Sequence, residues 1–106
     1  MKLILKTKNL ELTDPLREYI DKKLLPISKL LSKWELDREL ILECEISRTT
    51  KHHHKGDKVY YAETNLDFGF KLIRANIYSD DPRRAIDQLK DTLQSEIKKL
   101  KDKLVK

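Results

Sequence analysis

Asp80-Asp81-Pro82-Arg83-Arg84-Ala85-Ile86-Asp87-Gln88-Leu89-Lys90-Asp91-Thr92-Leu93-Gln94, continuing to Lys106, reads as a basic amphipathic helix with a marked start. Ile86, Leu89, Leu93, Ile97, Leu100 and Leu104 recur at three- and four-residue steps. At about 100° per residue these positions gather into one stripe, which has to be buried against other elements. Arg83, Lys90, Lys98 and Lys101 fall on one flank of that stripe. Docking the helix on a core therefore leaves a row of cations beside the seam, an arrangement suited to a phosphate backbone. Ser79-Asp80-Asp81-Pro82 supplies the start, with acids at the positive end of the helix dipole and proline in the first turn.

Working outward, Leu72 to Tyr78 predicts a strand with Ile73, Ala75 and Ile77 inward. A turn at Gly69 joins it to a strand from Lys58 to Phe68, in which Tyr60, Ala62, Thr64, Leu66 and Phe68 face one way and Tyr61, Glu63, Asn65 and Asp67 the other. Glu39 to Arg48 alternates in the same manner, so the three runs form an antiparallel meander. Nearer the start, Lys2 to Thr7 predicts a short strand, and Thr13-Asp14-Pro15 signals a helix. Leu16, Ile20, Leu24, Ile27, Leu31 and Trp34 then hold a helical period, with Lys22, Lys29 and Lys33 on one flank. Pro26 removes an amide donor inside this run and is expected to kink the helix or divide it. The predicted fold is α+β, in the order β-α-β-β-β-α. Two helices cover one face of a four-stranded sheet, and Glu43, Glu45, Glu63 and Asp67 line an acidic open face.

A chain of 106 residues suits one domain, 1–106, around one core. A net charge of +5 favours an anionic partner, but 23 basic against 18 acidic residues makes placement matter more than the total. Cys44 is the single cysteine, which excludes an intrachain disulfide and a cysteine-based metal cluster and suggests a reducing compartment. The opening residues lack the apolar length of a secretory signal, and no run approaches the ~20 apolar residues of a membrane span. A soluble cytoplasmic protein without a membrane partner is expected.

Arg48-Thr49-Thr50-Lys51-His52-His53-His54-Lys55-Gly56-Asp57-Lys58 places cations and imidazoles at a hairpin tip. This reads as an RNA-contacting arm, with a solvated loop as the bland alternative. The histidines could hold Zn²⁺ or Ni²⁺ adventitiously, but a specific metal site is the remotest option, because adjacent ligands on one loop lack the supporting partners of a built site. Lysine-rich helix faces are usually solvated surface, and Asp91, Glu96 and Asp102 stand ready to pair with neighbouring lysines. Cationic rows on both helices plus a basic hairpin tip nevertheless point to a composite nucleic-acid surface. Recognition of bases on the open sheet is disfavoured, since only Tyr61 and Tyr78 stand there among acids. Asp67-Phe68-Gly69 matches a kinase tripeptide by chance, and Asp80 and Asp81 are better read as caps than as acid–base catalysts. Cys44 belongs in the core, and Trp34 closes the first helix against the sheet. No enzyme class, cofactor, metal or small-molecule substrate is indicated.

Ile73-Arg74-Ala75, followed by Asp80-Asp81-Pro82-Arg83-Arg84-Ala85-Ile86-Asp87 and then Leu93, resembles the Leu-Arg-Ala strand and Ala-Ile-Asp helix start of the ribosome hibernation-promoting factors and ribosome-associated inhibitors. Thr49 to Asp57 is similar to the hairpin tip of some members, and Thr13 to Ile20 with Lys23-Leu24 also fits. The resemblance spans essentially the whole chain and is to the short-form proteins. It implies a layout like that of double-stranded-RNA-binding domains and a seat in the mRNA and tRNA channel of the small ribosomal subunit, where the protein reversibly inhibits translation and protects idle ribosomes. The implied RNA-binding residues are Lys22, Lys23, Lys29, Lys51, His52, His53, His54, Lys55, Arg83, Arg84, Lys90, Lys98, Lys99 and Lys101, and the cationic row of the first helix adds Lys33 as a further RNA-binding candidate. Thr92 and Ser95 stand where the family often has basic residues. The implied partners are the small subunit and its rRNA, with the protein monomeric off the ribosome. Two rivals remain: a general double-stranded-RNA-binding module, and a metal-dependent RNA-cleaving enzyme using His52, His53 and His54.

Overall fold

Residues 1–49 and 59–105 are described by the computed structural model, which places four strands and two α-helices in the expected order. The strands are β1 (Lys2–Lys8), β2 (Ile41–Arg48), β3 (Tyr60–Asp67) and β4 (Leu72–Ser79); the helices are α1 (Asp14–Leu24) and α2 (Pro82–Val105). In the sheet order β1-β2-β3-β4, the last three strands form the antiparallel meander, while β1 runs parallel to β2. A parallel neighbour requires a crossover, and α1 with the segment after it supplies one.

The predicted long first helix is shorter than its hydrophobic period suggested. It ends at Leu24, and the chain continues as 3-10 segments over Leu25–Leu30 and Ser32–Trp34. Pro26 sits in the first turn of the tighter helix, where its missing amide costs least, so it divides the run rather than bending it. The apolar positions survive this change: Leu16, Ile20, Leu24, Ile27 and Leu31 are all buried. Tertiary burial selected those residues, and a 3-10 spacing of three residues still places Ile27 near the core after Leu24.

One continuous core joins these side chains to Leu42, Cys44, Ile46, Ala62, Leu66, Phe68, Ile73 and Ala75 of the sheet and to Ile86, Leu89, Leu93 and Ile97 of α2. Cys44 is buried as expected, and burial pushes its thiol up to about 12. Trp34 meets Phe68 edge to face at 5.0 Å, which fastens the end of the 3-10 segment to the sheet layer. Glu35 adds a polar latch beside it: one carboxylate oxygen accepts the Leu40 amide at 2.8 Å and lies 3.0 Å from the Met1 amino group.

The tight turn after β3 needs Gly69, whose φ of +90° disfavours any side chain. Its amide donates to Asp67 Oδ1 at 2.8 Å, and the Arg38 guanidinium, which donates to the Phe68 carbonyl, lies only 3.1 Å from where a Cβ would stand. The Asp67-Phe68-Gly69 tripeptide is thus part of a hairpin turn. At the start of α2, Ser79 Oγ accepts the Asp81 amide at 3.2 Å and Asp81 Oδ1 accepts the Arg83 amide at 2.8 Å. These bonds make Ser79 and Asp81 local caps.

Candidate nucleic-acid interface

The buried stripe of α2 fixes which of its flanks turns toward α1. Tyr19, on α1, donates its hydroxyl to Oδ1 of Asp87, on α2, at 2.6 Å, and Lys23 Nζ lies 3.6 Å from the same oxygen. Asp87 shares its flank with Arg83, Lys90, Lys98 and Lys101, so that row borders the junction between the helices. On α1, Tyr19 and Lys23 occupy the facing flank, with Lys22 beyond them. The two helices therefore bring cations to a shared border, a relation that neither amphipathic pattern alone specifies.

The cations differ in what holds them. Arg83 lies 5.2 Å and Lys23 5.5 Å from the centroid of the Tyr19 ring, while Lys101 lies 5.9 Å from that of Trp34. These aromatic faces attract cations without neutralising them. Arg84 pairs with Asp80 at 2.7 Å, Lys90 with Asp91 at 3.4 Å and Lys99 with Glu96 at 3.6 Å. Exposed pairs of this kind are weak and leave the cation able to exchange partners. Lys22, Lys29, Lys33 and Lys98 are exposed and make no ion pair among the described residues.

The predicted row on the first helix changes, and two of the RNA-binding residues implied by the resemblance lie off the α2 row. Lys29 and Lys33 follow the end of α1, so they do not continue a single α-helical flank with Lys22. Lys99 projects from the flank of α2 opposite Lys98, and Arg84 lies on its outer side, because successive helical residues diverge by about 100°. The proposed arm residues Lys51, His52, His53, His54 and Lys55 lie outside the described residues.

The opposite sheet face is mixed rather than uniformly acidic. Glu43, Glu45 and Glu63 occupy its middle, but parallel pairing brings Lys6 opposite Glu45 and Lys8 opposite Ser47, while Arg74 on β4 donates to Asn65 Oδ1 at 2.9 Å. Tyr61 and Tyr78 do meet there, with ring centroids 4.8 Å apart. Burial, then the charge of Glu63, raises the Tyr61 phenol above its ordinary value of 10.0. Its hydroxyl donates to Glu63 at 3.2 Å, so an acid lies beside the aromatic pair.

Tyr19 and Asp87 had no functional assignment from the sequence. A weak signal was present: Tyr19 and Lys23 stand four residues apart on one helix. The hydrogen bond to Asp87, then burial, raises the Tyr19 phenol above its ordinary value of 10.0, so it remains a donor at neutral pH.

The family model described as Sigma 54 modulation protein / S30EA ribosomal protein matches residues 3–105. A ribosome hibernation promotion factor of Deinococcus radiodurans is 26% identical over 99 residues, covering 93% of this chain and 48% of that protein. The chain thus spans about half the length of this curated relative. The solved N-terminal domain of Thermus thermophilus Protein Y superimposes with a TM-score of 0.67 at 29% identity, covering 94% of this chain and 99% of that one. A ribosomal subunit interface protein from Coxiella burnetii has the same fold, with a TM-score of 0.68 at 19% identity over 96% of this chain and 99% of the other.

Proposed function

This chain belongs to the Sigma 54 modulation protein / S30EA ribosomal protein family, and on that premise we propose that it is a ribosome hibernation factor whose helical face binds rRNA of the small subunit. Residues 1–106 serve as its ribosome-binding domain. The carrying observation is the convergence of cations from α1 and α2 on one helix junction, in a domain similar to a hibernation promotion factor. Phosphates entering there exchange weak internal contacts for charge-assisted hydrogen bonds and release counterions. The mechanism is steric: the protein occupies the mRNA and tRNA channel reversibly and needs no bond-making chemistry, cofactor or metal. It acts in the cytoplasm and is monomeric away from the ribosome.

Co-sedimentation with purified small subunits at near-physiological salt tests this reading. Stoichiometric binding that mRNA or tRNA displaces, but a large excess of duplex RNA does not, is the expected result. Displacement by bulk duplex would instead establish a general double-stranded-RNA-binding module, since such modules recognise helix shape.

A further inference from the structure

The link between Tyr19 and Asp87 joins two helices at the point where a cation from each approaches one aromatic ring. Lys23 comes from the last turn of α1, and Arg83 from the first turn of α2. They lie 5.5 Å and 5.2 Å from the same ring centroid. The Arg83 amide is held by Asp81, which fixes the backbone carrying its guanidinium, and Arg83 forms no side-chain ion pair among the described residues. Lys23 is paired only at 3.6 Å, with Asp87, whose same oxygen already accepts the shorter Tyr19 bond.

We propose that Tyr19, tethered to Asp87, is a positioning residue that holds Lys23 and Arg83 as a two-cation clamp for an RNA phosphate. The proposal rests on the RNA-binding reading above and specifies which contact is preorganised. Long cationic side chains lose rotamer freedom when they bind, and an aromatic face restricts them beforehand without cancelling their charge. The tether has a second effect. When Lys23 leaves Asp87 for a phosphate, the Tyr19 hydroxyl continues to donate to the carboxylate, which would otherwise be left beside the incoming anion with less compensation.

A mutational cycle on purified small subunits and on a short RNA duplex tests the clamp. Tyr19→Leu, which keeps apolar bulk at the helix junction, is expected to weaken binding about tenfold and to reduce the magnitude of the salt slope by about 0.8, the loss of one phosphate contact. Tyr19→Phe keeps the ring and loses the tether, with an expected loss of about threefold and little change in slope. In a Lys23→Gln/Arg83→Gln background, Tyr19→Leu should have less than about a twofold further effect, because a positioning residue acts through its partners. The same tenfold loss in that background, or no loss in the native one, overturns the clamp. Failure to bind subunits with the cycle intact on duplex overturns the hibernation reading alone; binding of neither probe overturns both.

Discussion

The helix side and the open sheet side of this domain both carry many charges, yet they are wired differently. On the helix side, Lys22, Lys29, Lys33 and Lys98 are exposed without ion pairs among the described residues, Arg83 and Lys101 rest against aromatic rings, and Lys23, Arg84, Lys90 and Lys99 keep only weak contacts with a neighbouring carboxylate. On the sheet side, Glu43, Glu45 and Glu63 share their surface with Lys6, Lys8 and Arg74, so opposite signs are interleaved at strand spacing. Net charge therefore says less about partner choice than the company each cation keeps. A polyanion gains most where cations cluster along one border and the carboxylate contacts they give up are weak and exposed.

Charge reversal gives the largest test of this contrast. Lys22→Glu, Lys29→Glu and Lys98→Glu together should weaken small-subunit binding by about 100-fold or more at near-physiological salt, whereas Glu43→Gln, Glu45→Gln and Glu63→Gln together should change it less than about threefold. Titrations of the two triple variants against labelled subunits provide the comparison. Equal losses from both faces would break the assignment of RNA to the helix side.

Glu35, which belongs to neither charged row, sharpens the point that wiring decides a charge's effect. Burial opposes the ionised form of Glu35, but the Leu40 amide and the Met1 amino group outweigh it and hold the carboxyl below its ordinary value of 4.5. A folded-state value below the unfolded one stabilises the fold above pH 4.5, and that stabilisation is lost as the pH falls through the folded value. Glu35→Gln should cost about 1–2 kcal/mol near neutral pH, with a flatter acid limb in urea denaturation measured across pH. An unchanged acid limb would detach Glu35 from this role.

The smallest expected effect lies on the covered side of the sheet and has the opposite sign. Thr64 is fully buried and its hydroxyl has no hydrogen-bond partner among the described residues. Thr64→Val replaces an unsatisfied group with one of similar shape, so chemical denaturation should show a gain of up to about 1 kcal/mol without altered RNA affinity. A loss of stability would reveal a partner for that hydroxyl and refute the expectation.

The period of the α2 stripe, the alternation of β2 to β4 and the caps at Thr13 and Asp81 made the element order and most of the core legible in sequence. These are local signals, set by side-chain periodicity and by amides within a turn of their acceptors. The length of α1 was not legible in the same way, because a three-residue step such as that from Leu24 to Ile27 is shared by α and 3-10 segments: Ile27 and Leu31 remain buried although the α-helix has already ended. Tertiary structure alone decided that β1 pairs parallel with β2, bringing Lys6 and Lys8 onto the open face, and that Tyr19 reaches Asp87 across 68 positions of sequence. Sequence determined which residues must be buried and which can carry charge. The packing of helix on helix and strand on strand decided which charges meet, because Coulombic and hydrogen-bonding interactions depend on distances in space that local periodicity does not encode.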